Sequence, residues 1–182
     1  HKKGFIDIMT NTNGSAINEK RSKKILDSGL TRLRFSLDAF TDETYKKVRV
    51  GAIDLDKVKK NIFNFLDLKE KGGYKLPVVG VSFCKLKQNE HELEEFKNYW
   101  KDKVDLVTIQ TFAPPTQNKK AYHDFYPEDQ FYENETLDFK CNQPFQRIHI
   151  RNQDMFPCCY SLVMGDKGTD NYNNFALGNI NK

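Results

Sequence analysis

The run RLRFSLDAFTDETYKKVRVG (residues 32–51) changes its period part-way, and that change decides the fold class. Its first half alternates. Leu33, Phe35 and Leu37 point to one side and Arg34, Ser36 and Asp38 to the other, the two-residue period of a strand with one face in a core. Thr41 then offers a side-chain oxygen to cap a short helix at residues 42–48. A strand feeding a helix is the repeating unit of an α/β protein, and the same alternation recurs on both sides of this run.

Upstream, FIDIM (residues 5–9) is expected as a strand that ends in the polar turn TNTNG (residues 10–14). A charged helix follows at residues 18–28 and stops at Gly29. Downstream, a longer helix at residues 55–71 places Leu55, Val58, Ile62, Phe65 and Leu66 on one face before Gly72 and Gly73 end it. PVVGVSFCKL (residues 77–86) and VDLVTIQTF (residues 104–112) supply two more strands. Between them, residues 90–101 carry Leu93, Phe96 and Trp100 at helical spacing. Four strands alternating with helices predict a parallel sheet over residues 1–112. Pro114 and Pro115 then break the pattern, and residues 113–140 have no clear period, as expected of a linker or irregular excursion.

The last segment, residues 141–182, holds three of the four cysteines. In CNQPFQRIHIRNQDMFPCC (residues 141–159), Ile148 and Ile150 face one way and His149 and Arg151 the other. A polar turn at Asn152, Gln153 and Asp154 leads into a second short strand and Pro157. A hairpin of this kind brings Cys141 near Cys158, and thiolates gathered on a turn bind zinc or an iron–sulfur cluster. Cys141, Cys158 and Cys159 offer at most three ligands, where both metals usually take four. Cys84, at the end of a strand, is expected as a small buried hydrophobe and not as a ligand.

At 182 residues and 38% hydrophobic content, the chain suffices for one sizeable core with a small appendage. No apolar run approaches membrane-spanning length, so no membrane partner is expected. The net charge is +4 with the lysines spread among acidic residues, a pattern of solvated faces and not of a nucleic-acid groove. The cysteine usage suits metal binding in a reducing cytoplasm, and the ends (His1, and GNINK) read as those of a piece of a longer polypeptide.

In parallel α/β sheets, chemistry gathers at the carboxyl ends of the strands. Those ends carry Thr12-Asn13-Gly14, Ser36-Leu37-Asp38, Cys84-Lys85 and Gln110-Thr111, small hydroxyl and amide groups suited to a polar ligand. Two readings stand side by side: ligand-binding groups, or turn formers and helix caps. Arg49 is likewise either a ligand-binding cation or a solvated one at a helix end.

The order TNG, GLTRLRFSLDA (residues 29–39), ETYKKVRVG (residues 43–51) and the N-x-x-E of Asn89 and Glu92 after a strand resembles the last four strands of the radical S-adenosylmethionine (radical SAM) partial barrel. The cysteine stretch, with LGNI at residues 177–180, resembles the opening of a SPASM domain, an auxiliary iron–sulfur module of many such enzymes. Family members usually have Gly where Gln153 stands. The resemblance implies a partial (β/α) barrel followed by a small SPASM-like β-hairpin domain. It implies reductive cleavage of S-adenosylmethionine, then hydrogen abstraction from a peptide, sugar or small-molecule substrate. A flavodoxin or ferredoxin would serve as electron donor.

Carried over residue by residue, Ser36 matches a position that touches the cofactor's ribose or methionyl part, and Arg49 one that binds its carboxylate. Asn13 lies on the T-N-G loop, and Asp38 faces the same side as Ser36, placed to orient Arg34 or to meet ligand. Cys141 and Cys158 match the first ligands of an auxiliary 4Fe-4S cluster, and Cys159 a position that is often Cys. The family's CxxxCxxC, which binds the catalytic cluster, occurs nowhere in these 182 residues, so the chain by itself is expected to be inert. Two other classes fit the residues without the resemblance: a zinc-binding interaction module held by the three cysteines, and a metal-free α/β ligand-binding domain.

Overall fold

The computed structural model describes residues 7–112, 119–129, 148–151, 153–157, 177–179 and 181. The chain divides into two units, one of residues 1–112 and 124–131 and the other of residues 113–123 and 132–182.

The first unit is a four-stranded parallel sheet in sequence order, β1 (Met9–Thr12), β2 (Arg32–Ser36), β3 (Val78–Lys85) and β4 (Leu106–Thr111). Helices α1 (Glu19–Asp27), α2 (Asp42–Val48), α3 (Leu55–Lys71) and α4 (Leu93–Trp100) make the crossovers, with a 3-10 turn at Glu90–Glu92 leading into α4. Local chemistry sets the helix bounds. The Asn18 side chain accepts from Arg21 N at 3.0 Å to open α1, and Thr41 Oγ1 accepts from Thr44 N at 3.3 Å to open α2.

One face of the sheet is apolar and covered. Leu33, Phe35, Leu37, Val79, Val81 and Phe83 are buried there against Leu55, Val58, Ile62, Phe65, Phe96 and Trp100 from α3 and α4. Aromatic rings interlock in this layer: Phe35 meets Phe65 edge-on at 6.1 Å, and Phe83 lies 5.0 Å from Phe96. Gly14, at φ +75°, ends the turn after β1, where a Cβ would stand 3.0 Å from Val58 Cγ1 and 3.1 Å from Phe35 Cδ1. Only glycine meets both demands.

Two expectations need correcting. Asp7 and Ile8 are not in the first strand, and Phe5 and Ile6 lie outside the described residues; the strand runs Met9–Thr12 and takes in residues expected as a polar turn. Parallel pairing with Arg32–Phe35 overrides their polar composition, and Asn11 lies on the sheet's polar face opposite Arg34. The second strand closes at Ser36 and not at Ala39, because Asp38 turns the backbone to φ +62°.

In the second unit, β5 (His149–Arg151) and β6 (Asp154–Phe156) pair antiparallel, as the alternation around the polar turn predicts. β7 (Gly178–Asn179) adds to β6 as a third strand. Gln153 bears the turn's strain with φ +75°, the position at which glycine would be unstrained. No helix among the described residues is long and apolar enough to cross a membrane.

Glu92 yields a test of the fold. Its buried carboxylate accepts from Phe40 N at 2.7 Å, Thr41 N at 3.2 Å and Thr41 Oγ1. Burial pushes this carboxyl up, but the hydrogen bonds from Thr41 Oγ1 and Phe40 N outweigh it and hold the group below the usual carboxylate range. A depressed folded-state pKa contributes stability above the unfolded value (about 4.3) that is lost as pH falls through the folded one. Glu92→Gln should therefore lower the melting temperature at pH 7, and the gap to wild type should narrow between about pH 5 and pH 3. A gap independent of pH would mean that the carboxylate's charge contributes nothing.

Candidate functional site

Alternation along the strands leaves the second face of the sheet polar, with Asn11 on β1, Arg34 and Ser36 on β2, Ser82 and Cys84 on β3, and Thr108 and Gln110 on β4. Ser36 and Ser82 are register partners, with hydroxyl oxygens 3.5 Å apart. At the carboxyl end of this face lies a polar network centred on Asp38.

Each Asp38 carboxylate oxygen has its own partner. Oδ1 accepts from Cys84 N at 2.8 Å, and Oδ2 accepts from Arg49 Nη2 at 2.5 Å. The ion pair is mostly shielded, with side-chain exposures of 26% for Arg49 and 15% for Asp38. Arg49 stands at the C-cap of α2, and its backbone N–H still donates to Tyr45 O at 2.9 Å. The guanidinium therefore turns back from the helix end toward the sheet. Its Nε is buried and has no hydrogen-bond partner among the described residues. A buried guanidinium N–H without an acceptor costs free energy unless a ligand supplies one.

Asp38 and Arg49 thus come together in direct contact, with Ser36 two residues before Asp38 on the same strand. Arg34 is not the partner of Asp38: its Nε donates to Asn11 Oδ1 at 3.0 Å. The two arginines divide because Asp38's positive φ carries its side chain past the strand end, toward α2. Asn13 sits one residue beyond the last β1–β2 pair, exposed, with Oδ1 accepting from Ser15 N at 3.1 Å and Ser15 Oγ at 2.8 Å. Its carbonyl oxygen therefore shapes the turn.

Cys84 is half-buried, and burial, with the nearby Asp38 carboxylate adding to it, pushes the thiol up to about 11. It is therefore a protonated packing residue at neutral pH. Cys141, Cys158 and Cys159 lie outside the described residues. Among the described residues no group of three or more His, Cys, Asp or Glu side chains could hold a metal.

Sequence reasoning gave Asn89 and Glu92 no role. Asn89 is fully buried, and its Nδ2 donates to Asp38 O at 2.7 Å and Cys84 O at 2.9 Å, while its Oδ1 accepts from Leu86 N at 2.7 Å. Glu92 holds Phe40 and Thr41 of the same loop. The only sequence signal was their N-x-x-E spacing after a strand.

No protein-family model matches the chain. Curated relatives do. The chain is 28% identical over 151 residues to the "Probable GTP 3',8-cyclase" of Methanococcus maripaludis strain C5, covering 82% of this chain and 46% of that protein. It is 28% identical over 168 residues to an enzyme of Thermodesulfovibrio yellowstonii, covering 91% and 48%, and 34% identical over 111 residues to one of Limosilactobacillus fermentum, covering 61% and 31%. Both of the latter are GTP 3',8-cyclases. The chain spans about half the length of the first two relatives and less of the third. A match as long as that to the T. yellowstonii enzyme takes in the cysteine segment wherever it begins.

Proposed function

We propose that this chain is the cofactor-holding half of a radical SAM enzyme, with the Asp38–Arg49 pair as its S-adenosylmethionine anchor. The homologues are GTP 3',8-cyclases, enzymes of the radical SAM class that use 4Fe-4S clusters and S-adenosylmethionine. The observation that carries the reading is the shielded guanidinium of Arg49, held by Asp38 on one nitrogen and unpartnered at its buried Nε. A planar guanidinium with a spare edge is suited to a carboxylate, the group at one end of S-adenosylmethionine. Asp38 would keep that edge oriented and balance its charge. Ser36, on the polar face, would meet the ribose or methionyl part, and Asn13 on the adjacent loop would line the same end of the sheet.

Bound there, S-adenosylmethionine would supply the means of abstracting hydrogen from a substrate after one-electron reduction by a flavodoxin or ferredoxin. The substrate proposed is a small molecule, and the relatives' names point to a purine nucleoside triphosphate. No step is assigned to a side chain of this chain beyond binding and orientation.

The three-stranded sheet of the second unit, with Gly178 and Asn179 of LGNI forming its third strand, supports a SPASM-like reading of residues 141–182. There Cys141 and Cys158, with Cys159, would hold an auxiliary 4Fe-4S cluster. The test is iron per chain after anaerobic reconstitution of the full-length enzyme. Cys141→Ser and Cys158→Ser should each lose iron of one cluster, and Cys84→Ser should not. Loss of iron on Cys84→Ser, with Cys141→Ser unaffected, would overturn the assignment, and zinc in place of iron would replace the enzyme reading with a structural metal module.

A further inference from the structure

The loop of residues 38–41 connects β2 to α2 and carries the acid of the Asp38–Arg49 pair. It has little to stabilise it locally: Asp38 lies at φ +62°, a region disfavoured for a non-glycine residue, and the strand has ended two residues earlier. Its support comes from far along the chain. Asn89 acts as a rivet through three hydrogen bonds, two on carbonyls (Asp38 and Cys84) and one on Leu86 N, so the loop after β2 is tied to the end of β3. Glu92, one turn further on, takes Phe40 N, Thr41 N and Thr41 Oγ1. Lys59 of α3 completes the set by donating to Phe40 O at 3.0 Å. Every residue from Asp38 to Thr41 except Ala39 is therefore held by a side chain of another element, and Ala39 is itself fully buried.

Such reinforcement exceeds what a connection between a strand and a helix needs. The Thr41 cap alone starts α2. What the added bonds fix is the direction of the Asp38 carboxylate. The Asn89 bond to Asp38 O sets that residue's peptide plane, and Cys84 N, whose neighbouring carbonyl Asn89 also binds, takes Oδ1. With Oδ1 fixed, Oδ2 and the Arg49 guanidinium on it have one arrangement.

We infer that Asn89 and Glu92 are positioning residues, which hold the 38–41 loop and, through the Asp38 carboxylate, fix the Arg49 guanidinium for its anionic ligand. The inference rests on the reading of Arg49 as a carboxylate-binding group, and two independent readouts keep the two apart. The first is local and needs no ligand: the rate at which Cys84 is alkylated by a maleimide, followed by mass spectrometry of the peptide that carries it. Cys84 is half-buried beside Asp38, so loosening the loop exposes it and speeds the reaction. The second is the dissociation constant of S-adenosylmethionine for the full-length enzyme, measured well below the melting temperature of the weakest variant. Leu26→Ala, a core truncation on α1, controls for general loss of stability.

Asn89→Ala should raise the Cys84 alkylation rate at least fivefold and weaken S-adenosylmethionine binding at least tenfold. The gentler Glu92→Gln, which keeps one acceptor oxygen, should move both in the same direction by less and covers the case in which Asn89→Ala fails to fold. Leu26→Ala should change neither. Unchanged alkylation in both loop variants overturns the positioning role, as does an equal response from Leu26→Ala. Faster alkylation with unchanged S-adenosylmethionine affinity overturns the positioning of Arg49 where Arg49→Ala itself weakens binding, and overturns Arg49 as the ligand anchor where it does not.

Discussion

Arg49→Ala is expected to weaken S-adenosylmethionine binding by the full-length enzyme by about 1–3 kcal/mol, a roughly 5- to 150-fold rise in dissociation constant. The magnitude follows from losing a charge-assisted, partly shielded contact, where an equivalent surface pair would be worth far less. Two terms add. The ligand carboxylate loses its donor, and Asp38, 15% exposed, keeps an oxygen that no longer has its cation. Arg49→Lys should recover only part of the loss, because an ammonium can pair with Asp38 or with the ligand but lacks the flat fork that serves both. Calorimetry on the two variants checks this. Wild-type affinity in Arg49→Ala would remove the residue from the site.

Phe35→Ala should cost more, about 3–5 kcal/mol of folding stability, the range for truncating a fully buried phenylalanine. Phe35 is 0% exposed on β2, edge-on to Phe65 of α3, and its ring abuts Gly14 in the turn after β1. One ring thus joins a central strand, the helix that covers it and the neighbouring strand's turn, and the surrounding backbone cannot close the cavity. Phe63, at the core's margin with its ring stacked on Trp100 and 36% exposed, should lose much less when cut to alanine. Chemical denaturation of both variants reads the difference. Equal losses would mean that the apolar face of the sheet is not packed as described.

Much of the first unit was legible because its signals are local. Thr41 and the Gly72-Gly73 pair mark where α2 starts and α3 stops, and the alternation of Leu33, Phe35 and Leu37 against Arg34 and Ser36 gives the two faces of β2. The extent of β1 was not legible, since Thr10, Asn11 and Thr12 look like a turn until β2 is beside them to pair. Asp38 and Arg49 were singled out separately, but not as partners. Their contact depends on the backbone turning at Asp38, which side-chain periodicity does not encode. Asn89 and Glu92 were the least visible. They act on residues about fifty positions earlier, and their N-x-x-E spacing after a strand marks them without telling what they bind. In the second unit the antiparallel pairing of β5 and β6 followed from the turn between them, while β7 arrives from more than twenty residues away.

The most direct measurement is the fate of S-adenosylmethionine when the anaerobically reconstituted full-length enzyme is reduced with dithionite. Formation of 5′-deoxyadenosine and methionine in equal amounts, falling sharply in Arg49→Ala, is the expected result. Quantitative recovery of intact S-adenosylmethionine from an enzyme with its full complement of iron would contradict it.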